Sequence, residues 1–455
     1  MRDDSGNGVR TGRLVLLMII VVAVLVGVTF LMMLPGDAGA AALDKKTKAA
    51  IIDSVRFHFD KTYVFPDVAE KMGKALSKNL KKGEYDGLED LDAFARKLTE
   101  DMVGISGDRH IWVLPASEEE IRIARQDEPT DEDDTMRRLR DAYTNFGFER
   151  VERLDNNIGY LKFNRFAPAE EAGDIAVAAL NFLANSYAII IDLRDNGGGY
   201  PSMIQLISSY FFEEPVHLNN FYIRETDTLH QFWTQAHVQG PRLADKPLYV
   251  LTSNRTFSGA EEFTYNMKNL KRGTIIGETT GGGAHPTSRI VIPDLAVKIS
   301  VPFGRAINPI TGTNWEGTGV EPDIQVPRDE ALDTAIYEAV KKLHEEAEIP
   351  ELKEHLAWSL DRLTALRKPF EVDEQTLKSY AGTYGPRKIV FEDGKLYYQR
   401  EGNPRYPMVP MSGTMFCFDD LDFFRLEVVV GDDGVPTMLR GHYTGGQTDE
   451  SKRTE

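Results

Sequence analysis

The chain has 455 residues, of which 42% are hydrophobic, so it is long enough for a sizeable core and more than one domain. Its 71 acidic residues outnumber 53 basic ones, and the formal net charge of −18 would repel a nucleic-acid backbone. A single cysteine, Cys417, excludes an intrachain disulfide and a multi-cysteine zinc site. The composition therefore indicates a globular protein without a nucleic-acid partner.

The N-terminal region carries a membrane-targeting segment. Residues 14–34 include no charged residue, and a helix of this length crosses the hydrocarbon core of a bilayer. Arginines precede the segment, and basic flanks stay on the cytoplasmic side. We therefore expect residues 1–43 to form a cytoplasmic tail and a transmembrane anchor, with the remainder exported to the periplasmic or extracellular side. Residues 38–40, Ala-Gly-Ala, fit a signal cleavage site, and cleavage near Ala40 would instead give a secreted protein.

The middle of the chain predicts an α/β architecture. Apolar residues recur at helical spacing between residues 44 and 104. Short aliphatic runs then alternate with helical patterns, as in α/β units around a buried sheet. The runs are at 158–163, 188–193 and 248–252, and the helical patterns are at 169–187 and 203–212. The acidic stretch 127–134 lacks apolar residues, so we expect a solvated loop there.

After residue 277 the pattern changes to short strands, with further helices expected at 333–343 and 352–366. From about residue 370, Asp-Gly turns at 393–394 and 433–434 predict hairpins. Beyond the N-terminal segment, the expected organisation is a helical subdomain (44–113), an acidic loop or linker (114–155), an α/β core (156–345), a helical linker (346–369) and a small all-β, barrel-like domain (370–455).

Ser258 stands where an apolar run breaks through a polar turn and a helical pattern begins. A hydroxyl at the start of a helix lies beside free backbone N–H groups, which suits a nucleophile whose reaction builds an oxyanion. The alternative is that Ser258 only caps the helix, as serines at such turns commonly do.

Three glycines, Gly197, Gly198 and Gly199, directly follow the aliphatic run at 188–193. Glycines let a backbone approach a ligand closely and expose N–H groups, so they could supply half of an oxyanion hole. The run lacks the residues of a phosphate-binding or dinucleotide-binding loop. A plain tight turn is the alternative.

Two further residues complete a possible catalytic set. His110 lies in a compact turn that a glycine begins, and a neutral imidazole is a suitable general base, although lone histidines are more often structural. Glu316 lies in a glycine-rich loop, from which a carboxylate could orient a histidine, or it is one more surface acid.

Five ordered motifs resemble the S41-type serine peptidase family of tail-specific and tricorn proteases. Its branch related to the interphotoreceptor retinoid-binding protein is the more similar. The motifs are at 107–113, 190–199, 256–263, 277–286 and 316–323, and the resemblance covers roughly residues 44–345. It implies a crotonase/ClpP-like core with an N-terminal helical subdomain. It also implies that Ser258 is the nucleophile, His110 the base and Glu316 the orienting carboxylate, and that backbone N–H groups near Gly198 and of Gly259 form the oxyanion hole.

The chain departs from its relatives at two places. The stretch where tail-specific proteases carry a catalytic lysine reads Gly-Gly-Gly-Ala-His here, and His285 is either a rival base or a residue lining the substrate groove. In the tricorn pattern a serine precedes the catalytic histidine, but Arg109 holds that position. Gly197, Gly199 and Arg109 are expected to line or support the groove.

The sequence therefore predicts an exported serine peptidase that acts on peptides or proteins through an acyl-enzyme intermediate. No metal or organic cofactor is expected. A binding module for apolar ligands or peptides on the same fold is the competing hypothesis, because the retinoid-binding relatives are carriers. An ester hydrolase with the same apparatus is a third.

Overall fold

The computed structural model describes residues 43–126 and 130–455. The expected membrane segment at 14–34 and the possible cleavage site at 38–40 lie outside these ranges. Within them, every helix is too short or too polar to traverse a lipid bilayer.

Three helices begin the described chain, as the periodicity between residues 44 and 104 predicts. They are α1 (Lys45–Thr62), α2 (Pro66–Lys82) and α3 (Leu91–Ser106). The side chains of Asp44 and Asp90 accept N–H groups at the starts of α1 and α3, and Gly107, with a φ of 71°, ends α3. Apolar residues of all three helices pack into one core with strand residues such as Val113 and Ile299.

The segment 114–155 is not the irregular linker that its acidity suggested. It contains α4 (Glu118–Ala124), α5 (Asp131–Tyr143), the end of β1 (Trp112–Pro115) and all of β2 (Phe148–Leu154). Thr130 and Asp133 form a reciprocal capping box at the start of α5, and acidic residues in a first turn favour the positive helix end. Hydrogen bonds from Arg122 and Thr130 lower the pKa of Asp133 to about 2. The acidic run therefore starts a helix from residue 131 onward, while residues 127–129 are not described.

A six-stranded sheet forms the centre of the protein, in the order β12-β8-β7-β4-β3-β2. Its strands beyond β2 are β3 (Ile158–Phe163), β4 (Ala188–Asp192), β7 (Leu248–Thr252), β8 (Thr274–Gly277) and β12 (Ile324–Gln325). All pairs are parallel except β2 with β3. The expected aliphatic strands are thus confirmed.

Helices cover both faces of this sheet, so its strands are apolar on both sides. On one face lie α6 (Ala169–Phe182), α7 (Pro201–Ser209) and α8 (Gly259–Asn269), and on the other α9 (Ala331–Glu346) and α10 (Pro350–Arg367). Within β4, Ile189 and Ile191 belong to the first core, whereas Ala188 and Ile190 belong to the second. The predicted α/β class is confirmed.

Two three-stranded antiparallel sheets bring together loops that are far apart in the sequence. They have the orders β1-β10-β9 and β11-β5-β6. Their further strands are β5 (His217–Ile223), β6 (Thr228–Trp233), β9 (Thr287–Ile292), β10 (Val297–Pro302) and β11 (Gly304–Ile307). Because β1 and β9 both flank β10, the turn before β1 lies near the loop before β9.

The C-terminal region begins with α11 (Glu374–Tyr380) and continues as antiparallel strands, as the Asp-Gly turns predict. A four-stranded sheet comprises β13 (Gly382–Tyr384), β14 (Arg387–Glu392), β15 (Lys395–Arg400) and β16 (Arg405–Pro407). A five-stranded sheet comprises β17 (Val409–Pro410), β18 (Met415–Cys417), β19 (Phe424–Val430), β20 (Pro436–Tyr443) and β21 (Thr448–Lys452). The strands pair into two sheets that share one core, rather than into a single closed barrel.

Candidate active site

Ser258 occupies a strained turn between β7 and α8. Its φ of 53° and ψ of −121° are unusual for a residue with a side chain, and such strain costs about 1–3 kcal/mol. The residue lies at the N-terminus of α8, where the helix presents backbone N–H groups. Strain of this kind persists only where surrounding contacts enforce it.

The contacts that enforce the turn come from the buried carboxylate of Glu261. It accepts the Ser258 N–H at 2.8 Å, the Thr280 hydroxyl at 2.5 Å, and the N–H groups of Gly282 at 2.6 Å and Gly283 at 2.8 Å. Burial raises its pKa, although all four hydrogen bonds favour the ionised form. Glu261 therefore ties the serine turn to the loop before β9. The sequence motifs did not point to Glu261, although Ser-x-x-Glu is a capping-box pattern.

The turn formed by Gly197, Gly198 and Gly199 packs against Ser258. Gly198 has a φ of 95°, and an added Cβ there would lie 2.5 Å from the Gly259 nitrogen and 2.8 Å from the Ser258 Cβ. The Gly198 N–H donates to the Asn196 Oδ1 at 2.8 Å, so Gly198 itself is not a free donor for an oxyanion.

The neighbouring residue supplies a free donor instead. Among the described residues, the N–H groups of Gly199 and Gly259 have no backbone acceptor. A Cβ built on Gly259 would lie 3.0 Å from the Gly199 nitrogen, so the two residues are adjacent in space. Gly199 and Gly259 therefore place two N–H groups without a backbone acceptor near Ser258, and an oxyanion hole requires donors of this kind.

His110 packs against the residue that precedes the serine. Its ring centroid is 4.7 Å from that of Phe257, and its side chain is 10% exposed. Within the described part of the chain, neither ring nitrogen has a hydrogen-bond partner. Burial lowers the pKa of His110 to about 4; the charge of Asp108 opposes this and that of His285 adds to it. The imidazole is therefore neutral at pH 7 and able to accept a proton.

The carboxylate beside His110 is that of Asp108, not that of Glu316. Asp108 Oδ1 lies 3.8 Å from the ring nitrogen Nδ1 of His110 and accepts the backbone N–H of His110 at 3.0 Å. Glu316 accepts the Ala284 N–H at 2.5 Å, and its Oε2 is 3.5 Å from His285 Nδ1. Among the described residues, no hydrogen bond or ion pair joins Glu316 to the His110 ring. The sequence reading missed Asp108, although it lies two residues before His110.

His285 is buried in this network and does not line a groove. Its side chain is 4% exposed, and its Nδ1 lies 2.7 Å from the Asp108 Oδ2, which the Tyr63 hydroxyl also contacts at 3.3 Å. Burial opposes the charged imidazole, but the hydrogen bond and charge of Asp108, with the charge of Glu316, outweigh it and raise the pKa of His285. Burial and the charge of Asp108 raise the pKa of Glu316 to about 7.

The same three side chains are those that could hold a metal ion. Asp108, His285 and Glu316 offer one ligand atom each, all within 4.8 Å of one another. The short Asp108–His285 hydrogen bond gives another explanation of the cluster: these two residues form an ion pair, and the carboxyl group of Glu316 lies beside it.

Arg109, which stands in the place of a tricorn-type serine, points away from the network. Its Nη1 donates to the Gly281 carbonyl at 2.5 Å, and its guanidinium carbon lies 5.8 Å from the centre of the Phe257 ring. Gly197, the first glycine of the triplet, has open space around its Cα.

A serine on a strained turn, two free N–H groups and a buried neutral imidazole are together typical of a serine hydrolase. The family model for peptidase family S41 matches residues 157–326, and that for the N-terminal domain of this family in eukaryotic IRBP matches residues 42–144. The chain belongs to peptidase family S41. The resemblance and the serine-peptidase class that the motifs predict are confirmed.

Individual relatives are distant. The chain is 26% identical to the chloroplastic carboxyl-terminal-processing peptidase 1 of Arabidopsis thaliana over 187 residues, which are 39% of this chain and 35% of that protein. A photosystem II D1 C-terminal processing protease is 15% identical, with 62% of this chain and 94% of that one covered and a TM-score of 0.37. The tricorn protease is 13% identical, with 66% and 37% covered and a TM-score of 0.42. These structural likenesses are too weak to add to the family assignment.

Proposed function

We propose that this chain hydrolyses peptide bonds with Ser258 as the nucleophile and His110 as the general base. The observations that support the proposal are the strained Ser258 at the start of α8, the neutral His110 ring packed against the adjacent Phe257, and the free N–H groups of Gly199 and Gly259. A neutral imidazole can accept the serine proton, and free N–H groups can stabilise an oxyanion.

In the proposed reaction the Ser258 Oγ attacks the substrate carbonyl carbon and its proton passes to His110. The carbonyl oxygen becomes an oxyanion, which the N–H groups of Gly199 and Gly259 stabilise. His110 then protonates the leaving amine as the C–N bond breaks, and a water molecule hydrolyses the acyl-enzyme by the same steps. The carboxylate of Asp108, 3.8 Å from His110 Nδ1, stabilises the transient imidazolium.

In this scheme Glu316 and His285 act indirectly, through the residues that position His110. The Asp108–His285 ion pair holds the turn that carries His110 against the loop before β9. Glu316 contributes through His285 rather than by touching the base. The free His110 ring becomes hydrogen-bonded when substrate arrives, as catalytic contacts in unliganded enzymes commonly tighten only in the complex.

We also propose that the enzyme works outside the cytoplasm. The uncharged run at 14–34 and the arginines before it support export with a membrane anchor. Sizing the protein from membrane and soluble fractions distinguishes the anchor from cleavage near Ala40.

Hydrolysis of a mixed peptide library, followed by mass spectrometry, tests the peptidase proposal. Wild-type protein and a Ser379→Ala control, altered at an exposed C-terminal serine, should give the same cleavage products. Ser258→Ala and His110→Ala should give none above background. Cleavage of ester substrates alone would indicate an esterase, and tight binding of apolar ligands without any turnover would indicate a binding module.

A further inference from the structure

Two exposed arginines flank the residues to which we assign catalysis. One directly precedes His110, and the other lies three residues before Ser258. They belong to an open cleft of about 740 Å³ lined by Arg109, Asn254, Arg255 and Phe257. Since the chain as a whole carries a net charge of −18, a cationic cleft beside the nucleophile runs against its overall charge.

Arg109 is held in place without being neutralised. Its Nη1 donates to the Gly281 carbonyl at 2.5 Å, and its guanidinium lies over the Phe257 ring. In residues 43–126 and 130–455 it has no carboxylate partner within ion-pair distance. The remaining N–H groups of the guanidinium are therefore free for a ligand, and the group is already oriented.

Among the described residues, the carboxylate that pairs with Arg255 is Asp195, which also pairs with two other cations. Asp195 lies 3.3 Å from Arg255 Nη1, 2.5 Å from Arg328 Nη2 and 3.4 Å from Lys162 Nζ. Lys162 is also paired with Glu149 at 2.9 Å, so three positive charges face two negative charges. With 67% of the Arg255 side chain exposed, the cleft keeps a positive excess.

We propose that this cleft binds a carboxylate of the substrate close to the scissile bond, so that the enzyme prefers acidic peptides. The inference rests on the proposed function, because it takes the bond at Ser258 as the reference point. A guanidinium matches a carboxylate with two parallel hydrogen bonds, and free positive charge attracts acidic substrates. Residues of an extended peptide are about 3.3 Å apart, so a carboxylate within a few residues of the bond reaches the cleft.

Paired fluorogenic peptides, blocked at both ends and differing only in Glu or Gln near the cleaved bond, test this preference. Wild-type enzyme should give a kcat/KM about tenfold higher for the Glu peptide, the order expected for a charge-assisted hydrogen bond in a partly exposed site. Rising salt should lower this ratio. In Arg109→Ala the ratio should fall toward one, and Arg109→Lys should keep part of it.

Charge reversal and a distant arginine supply the controls. Arg109→Glu should turn the preference toward a Lys peptide, which mere structural damage would not do. Arg153→Ala removes an equal charge from the exposed surface of β2 and should leave the Glu-to-Gln ratio as in wild type. A peptide series with free or amidated C-termini separates a terminal carboxylate from a side-chain carboxylate, and a preference for either supports the proposal.

Equal kcat/KM values for the Glu and Gln peptides, and for the free and amidated ones, would overturn the inference while leaving the peptidase intact. If no peptide is cleaved, the proposed function fails first. Binding of the same peptides to the Ser258→Ala protein, measured by fluorescence anisotropy, still decides the carboxylate preference: equal affinities reject it.

Discussion

Replacing Glu261 by Gln should destabilise the protein and disable the serine turn, although the side chain keeps its shape. Each carboxylate oxygen accepts two hydrogen bonds: Oε1 from Thr280 and Gly282, Oε2 from Ser258 and Gly283. An amide places NH₂ on one of these sides, where it faces two donors. Two hydrogen bonds to a charged group, each worth about 1.5–3 kcal/mol, are then lost, so we expect a loss of at least about 3 kcal/mol.

The adjacent Glu262 is a matched control, because it is buried on the same helix but lies in a different environment. Burial raises the pKa of Glu262 to about 8 from an ordinary 4.5. The stability that its protonated form contributes is complete below pH 4.5 and is lost as the pH rises through about 8. Between pH 4.5 and about 8, ionisation of Glu262 stabilises the unfolded chain by about 1.4 kcal/mol for each pH unit, and pH 7 lies within this range. Glu262→Gln removes that gain, so this variant should be as stable as wild type or more stable.

Urea unfolding at pH 7 measures both variants, and peptide hydrolysis below the unfolding transition reports the serine turn. Glu261→Gln should lower the free energy of unfolding and reduce kcat/KM at least tenfold, since the Ser258 turn loses its anchor. Equal stability of Glu261→Gln and wild type would refute the anchoring role. So would equal destabilisation by the two glutamine variants.

Three further predictions concern the site. The rate of fluorophosphonate labelling should rise with pH around a midpoint near 4, because only neutral His110 accepts a proton; a midpoint at 6.5 or above would contradict its burial. Gly198→Ala should lower the melting temperature sharply, because the methyl group would lie 2.5 Å from a backbone nitrogen, whereas Gly197→Ala, with open space around it, should not. His285→Ala should cost about 3–5 kcal/mol in urea unfolding, since it leaves the buried Asp108 carboxylate without its cation; a loss below 1 kcal/mol would show that the pair is not stabilising.

Local sequence patterns were enough to predict individual residues of the site, but not which of these residues are in contact. The apolar run, polar turn and helical pattern around Ser258 are encoded within a few residues, and so are the glycine triplet and the turn of His110. By contrast, the Asp108–His285 hydrogen bond joins residues 177 apart in the chain. Which carboxylate faces which histidine depends on the pairing of β1 and β9 with β10, and single-residue spacing carries no signal for that pairing.

The loop predicted at 127–134 is wrong for residues 131–134, which are helical, and the reason is different. Low hydrophobicity indicated a solvated loop, but a helix tolerates a polar surface if its first turn is capped, and Thr130 with Asp133 supplies that cap. The sequence also could not predict the burial of Glu261, because a glutamate in a helix is usually exposed. Only the four donors that the fold brings together explain its position.

Locating the adduct of a fluorophosphonate by peptide mapping tests the central claim most directly. Wild-type protein should carry a single adduct on Ser258, and Ser258→Ala should carry none. His110→Ala should react far more slowly although its serine is present. An adduct on another residue, or labelling that persists in Ser258→Ala, would contradict the assignment of the nucleophile.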